Sequence, residues 1–340
     1  MNTQSIIHAL IALPMLWTIR PAASQPADEA SGAVDAQSGL ELPAVEPPPR
    51  DFASAEEHYR FLYEDAGGGT SHTMATIPVW DGLWTSGNNT MPSLFIEGGT
   101  LLHAISPGGE VKRGVLTPPY EAQFIARREE MLEYGEQRYD RLTNCEYPGV
   151  PRWLWEPYVK EFVHTPRQSW MMNDLMNETR RIYINADHVN IDAQHSATGD
   201  SIGFWDGDEL VIWTKWVNPA DYLRGLPLTS NQFEMIESWR QVVKDDGSRQ
   251  LITQVTFYDP IALVQPLSAV YTHDSRPDLA EIGVRIRNWE CATSSNSYKD
   301  EDGNTQFYLP GDPEYKDPRG FTDFPELPGQ SLNPIFDSEK

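Results

Sequence analysis

The chain has little cysteine, little positive charge and no apolar run long enough to span a bilayer. Two cysteines, Cys145 and Cys291, occur in 340 residues, too few for a cysteine-rich zinc site. Against 26 basic residues stand 50 acidic ones, a net charge of −24. A field of that sign repels phosphate backbones, so no nucleic-acid partner is expected; the surplus reads as a solvated acidic surface. The stretch Ile6 to Trp17 is apolar but falls short of the roughly 20 residues a spanning helix needs, so no membrane span is expected. Three signatures are missing: a nucleophile elbow, a phosphate-cradling glycine loop before a helix, and the zinc-protease His-Glu-x-x-His. That argues against the common hydrolases and nucleotide enzymes, and neither a cofactor nor a metal is expected.

What is present starts with organisation. Residues 1–24 read as an export signal, with small residues Ala22-Ala23-Ser24 at the cleavage site but no Lys or Arg ahead of the apolar stretch. The expected location is periplasmic or secreted. In an oxidising compartment the two cysteines read as one disulfide, the alternative being two buried free thiols. Residues 25–50, rich in Pro, Ala, Asp and Glu, read as a disordered linker. Residues 51–294 read as the folded domain and 295–340 as an irregular tail.

Ser54-Ala55-Glu56-Glu57 resembles a capping box before Tyr59, Leu62 and Tyr63 at helical spacing. A second helix is expected from Thr117-Pro118-Pro119 to about Glu136. Short strands are expected around Trp84 and at Leu94-Phe95-Ile96. From residue 158 the pattern turns to β, with strands predicted near 158–165, 168–175, 178–184, 201–205, 208–217, 232–242, 250–258, 264–273 and 282–291. Asp206-Gly207, between Ile202, Phe204, Trp205 and Leu210 to Trp213, marks a hairpin with a type I′ turn. Asp245-Asp246-Gly247 marks another. Strands so spaced, with no helices between them, suggest a meandering barrel or sandwich, and a barrel leaves no sheet edge exposed.

Alternation then selects candidates for chemistry. Phe233, Met235, Glu237, Trp239 and Gln241 share one face of a strand. A carboxylate on such a face is either a desolvated acid or base, or half of an ion pair with Arg181, Arg285 or Arg287. Arg181 and Tyr183 also share a face: either they hold an acidic or phenolic ligand inside the barrel, or they form a surface ladder of long polar side chains. The loop 185–200 carries Asp187, His188, Asn190, Asp192, His195 and Asp200, potential divalent-ion ligands at a spacing that matches no metal motif. Asp300, Asp302 and Asn304 have a slight look of a calcium loop, with the glycine too early.

An ordered set of short pieces resembles a family of uncharacterised exported proteobacterial proteins over residues 80–291. The pieces are Leu116-Thr117-Pro118, Cys145 with Pro148-Gly149 and Pro151-Arg152, Thr165-Pro166, Arg180-Arg181-Ile182-Tyr183, Ser201 to Ile212, Glu237 with Arg240, Asp259-Pro260, and Cys291. In that family the hairpin usually begins Gly-His-Ser; here it begins Gly199-Asp200-Ser201, so a histidine-dependent chemistry does not carry across at this position. Gly82-Leu83-Trp84 and Gly203-Phe204-Trp205 are similar to the Gly-x-Trp pieces of lipocalin and other calycin barrels, and the similarity implies an interior pocket for a small, largely apolar molecule.

The expectation is an all-β fold: an antiparallel lipocalin- or calycin-like barrel with short N-terminal helices and irregular tails. Its expected function is that of an exported enzyme moving a proton on a small hydrophobic molecule, aromatic or terpenoid-like. Glu237 or Asp200 would be the acid or base, and Arg181 and Tyr183 would hold an oxygen. His195, Trp205, Trp239 and Arg240 would contact the ligand. The alternatives are a non-catalytic periplasmic binder with the same pocket, and a structural protein whose barrel is solid.

Overall fold

The computed structural model describes residues 43–97, 109–134, 140–189, 194–223 and 227–289, with residues 291, 297–299, 301, 305–307, 313–314 and 328 beyond them. The expected signal, most of the expected linker and most of the expected tail lie outside the described residues.

Helix α1 (Ala55–Asp65) begins where the expected cap forms: Ser54 Oγ accepts from the Glu57 N–H at 3.2 Å, and Glu57 reaches back to the Ala53 N–H. Then come β1 (Trp84–Asn89), α2 (Met91–Phe95) and α3 (Pro118–Tyr134). Leu94 and Phe95 thus belong to a short helix led by Pro92, not to a strand, and only Ile96 bridges to Val111. The strands β2 (Lys160–Thr165), β3 (Gln168–Asn173), β4 (Thr179–Ile184), β5 (Asp200–Asp206), β6 (Glu209–Lys215), β7 (Glu234–Val243), β8 (Arg249–Tyr258) and β9 (Leu267–Ser275) follow, and then α4 (Pro277–Glu281). The strand expected at 282–291 is not formed by its described residues. The chain turns at α4, led by Pro277, and Gly283 takes a positive φ of 81°. A small ribbon of β10 (Ser297–Lys299) and β11 (Thr305–Phe307) stands apart.

Strands β1 to β9 pair in chain order, and β9 closes on β1. The closed barrel was expected; wholly antiparallel pairing was not what formed. β4 and β5 run parallel, Ile182 opposite Ser201. Parallel neighbours need a crossover connection, and residues 185–199 provide it. The β5–β6 turn also differs from expectation. Asp206 pairs with Glu209, so the turn residues are Gly207 and Asp208. A positive φ falls on Gly207 alone, as a II′ turn requires.

Alternation sorts the side chains to two faces. Inward from the strands come Phe162, Met171, Ile182, Trp205, Leu210, Ile212, Met235, Trp239, Val255 and Tyr271, joined by Trp80, Trp84 and Trp153. Trp80 meets Trp205 at 5.7 Å and Trp239 at 6.3 Å between ring centres. These indoles fill the lumen. Outward from β5–β8 come Ile202, Trp213, Ile236 and Tyr258, which α1 covers through Ala55, Tyr59 and Leu62.

A disulfide joins Cys145 and Cys291 across 146 residues. Replacing both cysteines by serine reopens that loop in the unfolded chain. Guanidinium unfolding is expected to show a loss of about 2–5 kcal/mol; no loss would mean that the bond does not constrain the fold.

Candidate functional site

The lumen holds buried charge as well as indole. On β4 the apolar residues Ile182 and Ile184 point inward, and Arg180 shares their parity and goes with them. Its guanidinium donates to both oxygens of Glu237 on β7, at 2.5 and 3.0 Å, and to Thr214 Oγ1 at 3.2 Å. Trp239 Nε1 donates to Glu237 Oε2 at 3.0 Å. Both Arg180 and Glu237 are 0% exposed. The expected inward position of Glu237 is correct, but its partner is Arg180, not Arg181, Arg285 or Arg287. This is a closed structural pair. Replacing Arg180 by Met strands the carboxylate and is expected to cost about 3–5 kcal/mol in chemical denaturation, while the double change Arg180→Met with Glu237→Leu regains most of it. Equal losses in the single and double variants would sink the assignment.

A second charged group plugs one end of the lumen. Arg152 donates to Glu156 at 2.5 Å and to Asp140 at 2.7 and 3.2 Å. Lys160 Nζ donates to the Glu156 carbonyl at 2.6 Å and to Ser86 Oγ at 3.1 Å, and burial drives its pKa down to about 7. Glu178 accepts from the Gly149 N–H at 2.9 Å, and burial raises its pKa to about 7. The folded state thus keeps a proton on Glu178 that the unfolded chain loses near pH 4.5. Stability from this group is full below pH 4.5 and falls as the pH rises to about 7. Glu178→Gln retains the acceptor and cannot ionise. The difference in unfolding free energy between pH 5 and pH 7 is expected to shift by on the order of 2 kcal/mol in that variant; an unchanged difference would refute it.

The remaining expected site residues separate. Trp205 and Trp239 lie in the packed lumen. Arg181 and Tyr183 face outward, opposite to the expected interior position. Arg181 lies over the Trp170 ring at 5.3 Å, and Tyr183 is 38% exposed. Arg240 reaches Glu46 at 3.3 Å on the outer surface. Asn190, Asp192, Asp302 and Asn304 lie outside the described residues. Among the described residues no three His, Cys, Asp or Glu side chains converge as a metal site.

His195 and Asp200 lead to a different place. Outside the barrel, beside the start of α1, lies a cleft of about 700 Å³, within the usual range for a small-molecule site. Strand register builds it. Asp200 pairs with Lys215, and Glu234 pairs with Tyr258. The β6–β7 register, with Thr214 opposite Met235, sets Lys215 across from Glu234. One row therefore crosses four strands, Asp200–Lys215–Glu234–Tyr258, just beyond the apolar row Ile202–Trp213–Ile236 that α1 covers. Lys215, Glu234 and Tyr258 line the cleft with His195, Trp216 and Phe233, and residues 259–266 border it.

Two titratable side chains with defined hydrogen bonds, His195 and Glu234, line the cleft. His195 Nδ1 lies 3.0 Å from the Val217 carbonyl, which accepts only, so Nδ1 carries the proton and Nε2 of the neutral ring is left basic. Glu234 Oε2 accepts from Trp213 Nε1 at 2.8 Å, and burial raises the carboxyl above its usual range. Behind Trp216 sits a second dyad: His188 Nδ1 meets Asp200 Oδ2 at 2.6 Å, with the ring edge-on to Trp213 and Trp216. Burial keeps the His188 ring below its usual pKa.

The sequence reading missed Lys215 and Glu234, and offered His188 only as a metal ligand. A signal for Glu234 and Lys215 existed: once Met235, Glu237 and Trp239 are inward, Glu234 is outward, and the hairpin register then names its neighbours. Compared with known proteins, the chain matches no family model, no curated protein and no solved structure.

Proposed function

We propose that this protein is an exported, cofactor-independent enzyme that moves a proton on a small hydrophobic molecule, aromatic or terpenoid-like, bound in the cleft beside α1. One observation carries the reading: an imidazole whose Nδ1 is fixed as the donor, leaving Nε2 as the acceptor, and a carboxyl group raised by burial line the same cleft. His195 Nε2 takes a proton from carbon and Glu234 delivers one at another position, the requirement of an isomerase or lyase step. The site differs from the first expectation in place rather than kind, because the lumen is filled and Glu237 is paired. The lipocalin-like part of the reading is a closed barrel serving a small-molecule site on its wall. Export is supported by the Cys145–Cys291 disulfide, a bond that persists in oxidising compartments. Among the described residues no helix is long and apolar enough to cross a membrane.

The test is deuterium uptake. The purified mature protein is incubated in D2O with a panel of aromatic and terpenoid acids, ketones and alkenes, and bound compounds are weighed by mass spectrometry. At least one bound compound is expected to gain deuterium. His195→Gln and Glu234→Gln are each expected to slow that gain by about a hundredfold or more while binding persists. Compounds that bind and never exchange would establish the non-catalytic binder instead. Exchange that survives both substitutions would remove these residues from the mechanism.

A further inference from the structure

Lys215 ends β6 with its ammonium between two indoles, 4.7 Å from the Trp213 ring centre and 4.4 Å from that of Trp216. Cation–π contacts of this kind hold a lysine in place without neutralising it. The carboxylates beside it on the ladder hold other hydrogen-bond partners, and Glu234 acts on it through charge without direct contact. Asp200, its ladder partner, gives Oδ2 to His188, and Glu234 gives Oε2 to Trp213. Among the described residues no carboxylate forms an ion pair with Lys215, in a chain with nearly twice as many acidic as basic residues.

The backbone also holds this arrangement at a cost. Trp216 adopts a φ of +56°, a left-handed conformation that a bulky side chain takes only under constraint. That conformation ends the strand and sets the second indole against the ammonium and the edge of His188. Strain of this kind concentrates at ligand clamps. Phe233, Pro260, Leu263, Val264 and Pro266 give the cleft an apolar side; polar side chains, Glu234 and Asp259 among them, line the remainder with Lys215.

We propose that the ligand of this cleft is an amphipathic carboxylic acid, bound as its anion. Its carboxylate rests on Lys215, and its hydrocarbon body lies along Phe233, Pro260, Leu263 and Val264. The inference rests on the cleft being the ligand site, as proposed above, and adds the ligand's chemical class. An ammonium already seated on two rings loses little freedom on binding, which favours a fixed point of attachment for the charged end of the molecule. His195 and Glu234 line the same cavity and act on the body of the ligand, not on its carboxylate.

Calorimetric titration of the full mature protein compares each acid with its neutral alcohol: 2-naphthoate with 2-naphthalenemethanol, and geranate with geraniol. At least one acid is expected to bind about tenfold or more tightly than its alcohol, and the preference to shrink between 20 and 500 mM salt, as a charge contact is screened. Lys215→Met is expected to bring that acid down to the affinity of its alcohol and to leave the alcohol within about twofold. Lys215→Arg, which keeps a cation on the indoles, is expected to retain the preference. The salt dependence of the wild-type preference decides the matter if the methionine variant does not fold. Acid and alcohol binding equally, with Lys215→Met changing neither, would overturn the carboxylate assignment and leave the cleft as the site. Binding of neither member of either pair would overturn both.

Discussion

Every strand of a closed barrel sends alternate side chains to two opposite faces, and in this chain that constraint decides where chemistry can occur. The inward set is fixed by the need to bury Phe162, Ile182, Ile212, Met235, Trp239 and Tyr271 together. The outward set of β5–β8 is then fixed too, as successive rows across the strands. Helix α1 lies over the apolar rows and begins at Ala55, beside the row that contains Lys215 and Glu234. The cleft is the step from the covered row to the row beyond it, of which the start of α1 covers Tyr258. It follows from the length of one helix and the register of four strands.

The same alternation explains why the lumen is charged. Arg180 and Glu237 each share the parity of large apolar residues, so burying those residues buries both ions. A buried charge is tolerated when paired and hydrogen-bonded, and these two meet across the barrel with Thr214 and Trp239 completing the set. Such a pair defines one arrangement of β4 against β7, because a slip of one residue in either strand turns its ion outward and leaves the other alone. Arg152 does the same for the end of the barrel, tying the short turn it begins to Asp140 and Glu156.

Strand positions were legible in the sequence because period-two alternation and turn glycines are local signals. β2 to β9 fall within a few residues of the predicted spans. The inward face of β7 was legible for the same reason. The shared parity of Arg181 and Tyr183 leaves an interior pair and a surface ladder both open; Ile182 and Ile184 decide for the outer face, because a strand buries its isoleucines first. The parallel pairing of β4 with β5 had no local signal, since residues 185–199 resemble any polar loop. The cleft was illegible for a further reason. It is made by register between strands and by the stopping point of a helix, and neither is written in a single segment.

Position 200 shows how register and loop combine on the outer wall, where an aspartate stands between Gly199 and Ser201. The aspartate faces outward at the edge of the row and receives His188 from the crossover loop. The imidazole is oriented by that carboxylate, and its Nε2 is buried and meets no hydrogen-bond partner among the described residues. It lies behind the cleft, against Trp213 and Trp216, the two rings that seat Lys215. Removing charge from that ring by burial spares the ammonium a like-charged neighbour. Glu237 can do nothing comparable from the lumen, where arginine and indole occupy both of its oxygens. Proton chemistry on a ligand needs a group the ligand can reach, and the titratable groups that line the cleft on the outer wall are His195 and Glu234 together with Lys215, Tyr258 and Asp259.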